Sequence, residues 1–218
     1  MEADFWHNRW ENNRTGFHLD EVNPLLRENW SVLNLPAGSR VFVPLCGKSL
    51  DLIWLAEEGY QVVAVELSAL AAEAFFSENR LNVERQQVGN LELWQSDKIS
   101  LFCGDFFDLT AEILGQVDAF FDRASLIALT PAMRPDYAAQ MAELTQSAPK
   151  LLVTLEYDQS RMDGPPFSVS EGEVRALYQS KYQVKQLTAQ DVLGDNVKFR
   201  EKVLDFMNEC IYQLSPKS

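Results

Sequence analysis

The chain has 218 residues, enough for one domain with its own hydrophobic core. An apolar fraction of 46% and a charged fraction of 23% are typical of globular proteins and exclude a disordered or fibrous chain. The net charge of −13 disfavours a nucleic acid or an anionic membrane as partner, because both bind basic surfaces.

Cysteine and histidine usage narrows the class of protein further. The sequence has three widely spaced cysteines, Cys46, Cys103 and Cys210. An odd number at such spacings predicts free thiols in a reducing cytoplasm and no disulfide framework. His7 and His18 are the two histidines, so no histidine-rich metal site is expected. The first residues lack the basic and apolar regions of a signal peptide, and no run of 18 apolar residues predicts a membrane span.

The apolar periodicity predicts alternating helices and strands. In chain order, these are helices at residues 3–14 and 19–30, a strand at 40–45, a helix at 49–58, a strand at 61–67, a helix at 69–79, strands at 99–102 and 117–121, a helix at 131–147, a strand at 150–156, a helix at 170–180, and strands at 182–188 and 203–214. This alternation predicts an α/β domain over residues 1–218 with a mostly parallel sheet. The last two strands lack a long helix between them and can pair antiparallel.

Polar side chains recur at or just beyond the predicted strand ends. They are Lys48, Glu66, Asp105, Asp122 and Arg123. Sheets of this kind bind ligands at the carboxyl ends of their strands. The sequence therefore predicts a binding site at that edge, and the helical extension over residues 1–35 would cover it as a lid.

The loop after the first strand does not match the common phosphate-binding patterns. Gly47-Lys48-Ser49 ends like a Walker A loop, but the glycine required five residues before Gly47 is Phe42. A nucleotide kinase thus stays only as an alternative function. Cys46 has no histidine near it in the sequence, so we do not expect a nucleophile.

Two further strand ends suggest a nucleoside ligand. Glu66, nineteen residues after Gly47, stands where a carboxylate commonly holds a ribose diol; the alternative is that it caps the helix after Ser68. Asp105 could accept from an exocyclic amine and Phe106 or Phe107 could stack on a base. The alternatives are a helix cap for Asp105 and a core position for at least one phenylalanine.

A strand-end arginine and the aromatic residues of the N-terminal extension complete the candidate site. Arg123 could clamp a carboxylate or stabilise an anion, or else pair with Asp122 or Glu156. Trp10 and Phe17 would lie over the strand ends as part of the lid. Trp6 is interpreted as a packing residue.

Taken together, these segments closely resemble the thiopurine S-methyltransferase family in its short bacterial form. The resemblance runs through Trp10, Thr15-Gly16-Phe17-His18, Val41-Phe42-Val43-Pro44-Leu45-Cys46-Gly47-Lys48, Val63-Ala64-Val65-Glu66-Leu67-Ser68 and Phe121-Asp122-Arg123-Ala124-Ser125-Leu126. It implies a Rossmann-like class I methyltransferase with a seven-stranded sheet in the order 3-2-1-4-5-7-6, only strand 7 antiparallel, and helices on both faces. It also implies S-adenosylmethionine (SAM) as methyl donor and the sulfur of an aromatic or heterocyclic thiol as acceptor. Bacterial members are associated with selenium and tellurium methylation as well.

The resemblance also assigns residues, motif by motif. Trp10, Leu45, Glu66 and Arg123 would contact SAM, Asp105 and Phe106 would flank its adenine, Phe17 would line the acceptor pocket, and Arg200 would face the acceptor on a weaker match. Transfer of an activated methyl group to a thiolate needs positioning more than acid–base help, so no general base is predicted. Arg123 or Arg200 would stabilise the bound thiolate by charge. The expected protein is a cytoplasmic monomer without a metal ion.

Overall fold

The computed structural model describes residues 3–194 and 204–217. The helices of this part are α1 (Ala3–Glu11), α2 (Pro24–Asn29), α3 (Asp51–Glu57), α4 (Ala69–Glu78), α5 (Ala111–Leu114), α6 (Arg134–Leu144) and α7 (Glu171–Tyr178). The strands are β1 (Arg40–Val43), β2 (Gln61–Glu66), β3 (Glu84–Val88), β4 (Leu91–Ser96), β5 (Ile99–Cys103), β6 (Ala119–Arg123), β7 (Lys150–Glu156), β8 (Tyr182–Asp191) and β9 (Asn208–Pro216). Within the described residues, no helix is long and apolar enough to cross a bilayer.

All strands join one sheet in the order β3-β4-β5-β2-β1-β6-β7-β9-β8. The seven predicted strands are β1, β2, β5, β6, β7, β8 and β9, and they keep the predicted order. β9 pairs antiparallel with both β7 and β8, as expected. The α/β class and the mostly parallel sheet are thus confirmed.

The prediction of seven strands was wrong by one hairpin. β3 and β4 pair with each other, and β4 adds antiparallel to the edge of β5, so strand 7 is not the only antiparallel strand. β3 was missed because its sequence, Glu-Arg-Gln-Gln-Val, is polar and exposed at the edge of the sheet. Its Arg85 lies over the Trp94 ring of β4 at 3.5 Å, so packing across the hairpin stabilises what apolar periodicity does not reveal.

Several helix and strand boundaries differ from the predicted ones. The second helix begins at Pro24 and not near residue 19, because the Asn23 side chain caps it by accepting from the N–H groups of Leu25 and Leu26. The helix predicted to reach residue 14 ends at Glu11. The last strand begins at Asn208, with residues 204–207 preceding it, and residues 201–203 lie outside the described part.

The sheet separates two apolar layers. One contains Phe42, Phe120, Leu152 and Tyr212, and the other contains Val41, Phe121, Val153 and Ile211. Successive strand residues therefore point to opposite layers, as expected for a sheet covered on both faces. The carboxyl ends of β1, β2, β5 and β6 form one edge of this sheet, at which the polar residues identified from the sequence are found.

Candidate functional site

The loop after β1 bends sharply towards β2. Leu45 and Gly47 have positive φ angles of 45° and 56°, and the Cys46 N–H donates to the Val65 carbonyl at 3.0 Å. A Cβ atom on Gly47 would lie 3.2 Å from Cζ2 of Trp10. Glycine thus permits both the left-handed backbone and the close approach of the Trp10 ring.

Glu66 ends β2 and is 6% exposed. One carboxylate oxygen accepts from the Gly47 N–H at 2.8 Å and the other from the Ser68 N–H at 2.8 Å. Burial raises the pKa of Glu66, while these backbone donors oppose the rise by favouring its ionised form. The helix-cap alternative holds in part, because one oxygen binds the N–H of Ser68, the residue that caps α4, while the other binds the Gly47 N–H. A carboxylate can accept about four hydrogen bonds, so Glu66 keeps capacity for a ligand.

Arg123 connects the sheet edge to the N-terminal extension. Its Nη1 donates to the Phe17 carbonyl at 3.2 Å. No salt bridge to Asp122 or Glu156 exists among the described residues, so that alternative is wrong. Asp122 instead accepts from the Tyr137 hydroxyl at 2.8 Å.

Three aromatic residues of the N-terminal extension form a cluster over this edge. The Phe17 ring packs edge-on against Trp6 and Trp10, with centroid distances of 5.7 and 5.5 Å. Such rings suit a ligand that carries a positive charge, because their faces attract cations. Trp6, interpreted from the sequence as a packing residue, also lines the cavity beneath.

A cavity of about 530 Å³ lies beneath this cluster. Five predicted site residues line it: Trp10, Phe17, Leu45, Glu66 and Arg123. Its volume falls in the range of small-molecule and cofactor sites. Arg200 belongs to the segment outside the described residues.

A smaller cavity of about 100 Å³ adjoins the first, since Trp6, Leu45 and Leu67 line both. Asp105 and the two phenylalanines that follow it line the smaller one. The cap alternative for Asp105 holds, because its carboxylate accepts from the Phe107 N–H at 2.9 Å.

The neighbouring phenylalanines of this cavity differ in burial. Phe106 packs into the core at 5.0 Å from the Tyr137 ring, whereas Phe107 is 44% exposed. As expected, one of the two is a core residue. Phe106 therefore presents only part of its ring to the cavity.

Cys46, Lys48 and His18 also line the larger cavity. Cys46 is buried, and burial raises the pKa of its thiol, so it stays protonated and is a poor nucleophile. Lys48 Nζ donates to both Glu78 oxygens at 2.7 and 2.9 Å. Burial, chiefly, and the nearby Lys48 lower the pKa of His18. Within the described part of the chain, no cluster of three or more metal-ligating side chains occurs.

A further wall of the larger cavity was not predicted from the sequence. This wall includes Ile127, Ala128, Leu155, Pro165, Pro166, Met207 and Glu209. Most are apolar loop or strand residues without a sequence signal. Glu209 does carry a sequence signal, because its carboxylate stands between Met207 and Ile211 in an otherwise apolar alternation.

The fold of the chain matches solved methyltransferases. A Burkholderia thailandensis 1,6-didemethyltoxoflavin-N1-methyltransferase, solved with S-adenosylhomocysteine, aligns with a TM-score of 0.64 at 15% identity over 99% of this chain and 87% of that one. A SAM-dependent methyltransferase from Thiobacillus denitrificans, also in complex with S-adenosylhomocysteine, aligns with a TM-score of 0.63 at 14% identity over 100% and 99% of the two chains. The architecture is that of the class I SAM-dependent methyltransferases.

The sequence comparisons define the family. The model of the thiopurine S-methyltransferase family matches residues 1–217. The chain is 48% identical over 214 residues to the thiopurine S-methyltransferase of Pseudomonas fluorescens Pf0-1, covering 98% of this chain and 99% of the relative. It is 50% identical to that of Pseudomonas aeruginosa UCBPP-PA14, with the same coverage. The chain belongs to the thiopurine S-methyltransferase family, which confirms the predicted family, enzyme class and SAM cofactor and removes the kinase alternative.

Proposed function

We propose that the chain transfers the methyl group of SAM to the sulfur of aromatic and heterocyclic thiols, thiopurines among them. The observation that carries this proposal is the 530 Å³ cavity at the sheet edge, in a chain of this family. It joins a buried carboxylate, an aromatic cover and a strand-end arginine. The names of the relatives support a thiopurine acceptor.

The residues that line the two cavities fit the donor. Glu66 would accept from the ribose hydroxyls with its remaining lone pairs, and Leu45 would contact the methionine portion. Trp10 lies over Gly47 beside it, and its ring suits a sulfonium cation. Asp105 and Phe106 would border the adenine in the smaller cavity, with Phe107 beside them. SAM supplies a methyl group that is already activated by the sulfonium charge.

The chain itself contributes orientation and charge. Phe17 would lie against the acceptor ring, and Arg123 would favour its thiolate. Holding two reactants in line can supply about 7–11 kcal/mol of a barrier. Arg123 also holds the Phe17 carbonyl, so the same side chain would stabilise the acceptor and the segment that covers it.

Several finer features belong to this proposal. Residues 1–35 would act as the cover of a single domain spanning 1–218, and the protein would work as a cytoplasmic monomer. The three cysteines are free thiols, which supports a reducing compartment. Selenium and tellurium compounds are proposed as further acceptors on the family resemblance.

Two measurements test the proposal. A screen with labelled SAM across thiopurines, thiophenols, selenite and tellurite should show transfer to the aromatic thiols; transfer to none of them would refute it. Calorimetry should show that Glu66→Gln binds SAM with an affinity at least tenfold lower than the unmodified protein. The matched control is Glu92→Gln, a half-buried carboxylate on β4 that lines neither cavity. Equal affinity of both variants would remove the ribose assignment.

A further inference from the structure

Glu209 is a carboxylate on the wall of the larger cavity to which the donor assignments give no role. It lies near the start of β9 and lines the cavity with Leu155 and Arg123. Its carboxylate forms no ion pair or hydrogen bond with the side chains or backbone of the described residues. A half-buried carboxylate of this kind is available to a ligand.

The strand register places Glu209 and Arg123 on the same face of the sheet, two strands apart. Arg123 pairs with Val153 of β7, and Leu155 of β7 pairs with Glu209 of β9. Since alternate residues share a sheet face, all three cavity residues point to the same side, with Leu155 between the charges. β6 and β9 are two strands apart and the two residues are offset by two positions along the strands, so their Cα atoms are about 12 Å apart. This spacing leaves room for one planar ring between the guanidinium and the carboxylate.

The two charged groups are complementary to a thioamide. A heterocyclic thiol with a ring nitrogen beside the sulfur exists in water mainly as a thione, with the proton on that nitrogen. Arg123 would face the sulfur, on which negative charge develops, and Glu209 would face the N–H. Burial raises the pKa of Glu209, with Arg123 opposing the rise, which makes this carboxylate a stronger proton acceptor than an exposed one.

We propose that Glu209 is the general base for acceptors of the thione type, taking the ring N–H proton as the sulfur is methylated. The inference rests on the proposed function and names the part of the substrate that the site recognises. The acceptor sulfur forms the new bond to the methyl carbon, and the donor sulfonium keeps the electron pair of the bond that breaks. The electrons of the N–H bond form the ring C=N bond of the aromatic product, and the proton goes to the carboxylate. The inference departs from the sequence-based expectation that no base is needed, and limits that expectation to acceptors that arrive as thiolates.

The test compares acceptors that differ in the ring N–H. 2-Thiopyridone and 6-mercaptopurine carry it, whereas thiophenol has nearly the size of 2-thiopyridone and ionises at sulfur. General acid–base catalysis contributes about 10²–10⁴-fold. In Glu209→Gln we therefore expect kcat/KM to fall at least tenfold for the two N–H acceptors and to change less than threefold for thiophenol. Glu156→Gln is the matched control, a half-buried carboxylate on β7 that does not line the cavity.

A binding measurement without methyl transfer supplies an independent readout. Absorbance titration of 2-thiopyridone into the protein alone should give a Kd at least fivefold weaker for Glu209→Gln than for Glu156→Gln. Glu209→Asp, which keeps the charge on a shorter side chain, should recover part of the affinity. Two results would overturn the role of Glu209. One is that Glu209→Gln lowers kcat/KM equally for thiophenol and for the N–H acceptors, and the other is that this variant binds 2-thiopyridone as tightly as the unmodified protein. No transfer by the unmodified protein to any of the three would overturn the proposed function, and this inference with it.

Discussion

Arg134 offers a quantitative test of how one wall of the larger cavity is held. The side chain is 1% exposed, and its Nε donates to the carbonyls of Leu126 and Leu129, both at 3.1 Å. Its Nη1 donates to the Ser168 carbonyl at 3.2 Å and to both Glu173 oxygens at 2.7 Å. One guanidinium thus joins the turn after β6 to the segment before α7. The turn carries two cavity residues, Ile127 and Ala128.

Replacing Arg134 with methionine keeps much of the volume and removes these bonds. Three carbonyls lose a charged donor, at about 1 kcal/mol each, and Glu173 loses its partner. The Glu173 side chain is 31% exposed and can be rehydrated, so it adds only about 1 kcal/mol. The sum is about 4 kcal/mol, most of it from the three buried carbonyls.

Urea unfolding measures this loss. With a slope of about 2–3 kcal/mol per molar, 4 kcal/mol lowers the midpoint by about 1.3–2 M. Glu171→Gln is the control, because it breaks the exposed pair with Arg175 and should cost about 0.3–0.5 kcal/mol. A midpoint shift for Arg134→Met as small as that of the control would refute the reasoning. In the folded variant we also expect the acceptor KM to rise more than the Kd of SAM.

Three further predictions concern burial, backbone and charge. Phe106→Ala should cost about 3–4 kcal/mol in urea unfolding and Phe107→Ala less than 1, since only Phe106 is buried; similar losses would contradict the packing. Gly47→Ala should weaken SAM binding at least fivefold by calorimetry, whereas Gly38→Ala, which has φ +81° but no atom within 4 Å of the new Cβ, should leave it unchanged. Burial lowers the pKa of Lys150 to about 7, so above that pH the unfolded state binds more protons than the folded state. The free energy of unfolding should therefore rise with pH between 7 and 8.5, by up to about 1.4 kcal/mol per pH unit. Lys150→Met should abolish that rise, and an unchanged slope would show that Lys150 is not its source.

The order of the seven predicted strands could be given from the sequence because each strand is an apolar run and the family resemblance supplies their arrangement. The β3–β4 hairpin could not, since its edge strand is polar and stabilised by contacts such as Arg85 on Trp94. Glu66 and Arg123 were found because they directly follow apolar strands. Their partners, the Gly47 N–H and the Phe17 carbonyl, come from distant segments that only the fold brings close. Glu209 was overlooked because its significance depends on the register between β7 and β9.

The hydrogen bond from Arg123 to Phe17 has a consequence for the timing of turnover. No residue is buried over residues 3–18, so this first part of the N-terminal extension is held mainly by its aromatic contacts and by this bond, whereas Leu26 and Trp30 further along are buried in the core. A segment anchored so sparsely opens at a lower free energy than the whole domain unfolds. If residues 1–35 cover the site as proposed, ligands leave past them, and the residence time of the product would follow the opening rate of this cover. A substitution in the cover would then change turnover without altering any group that reacts.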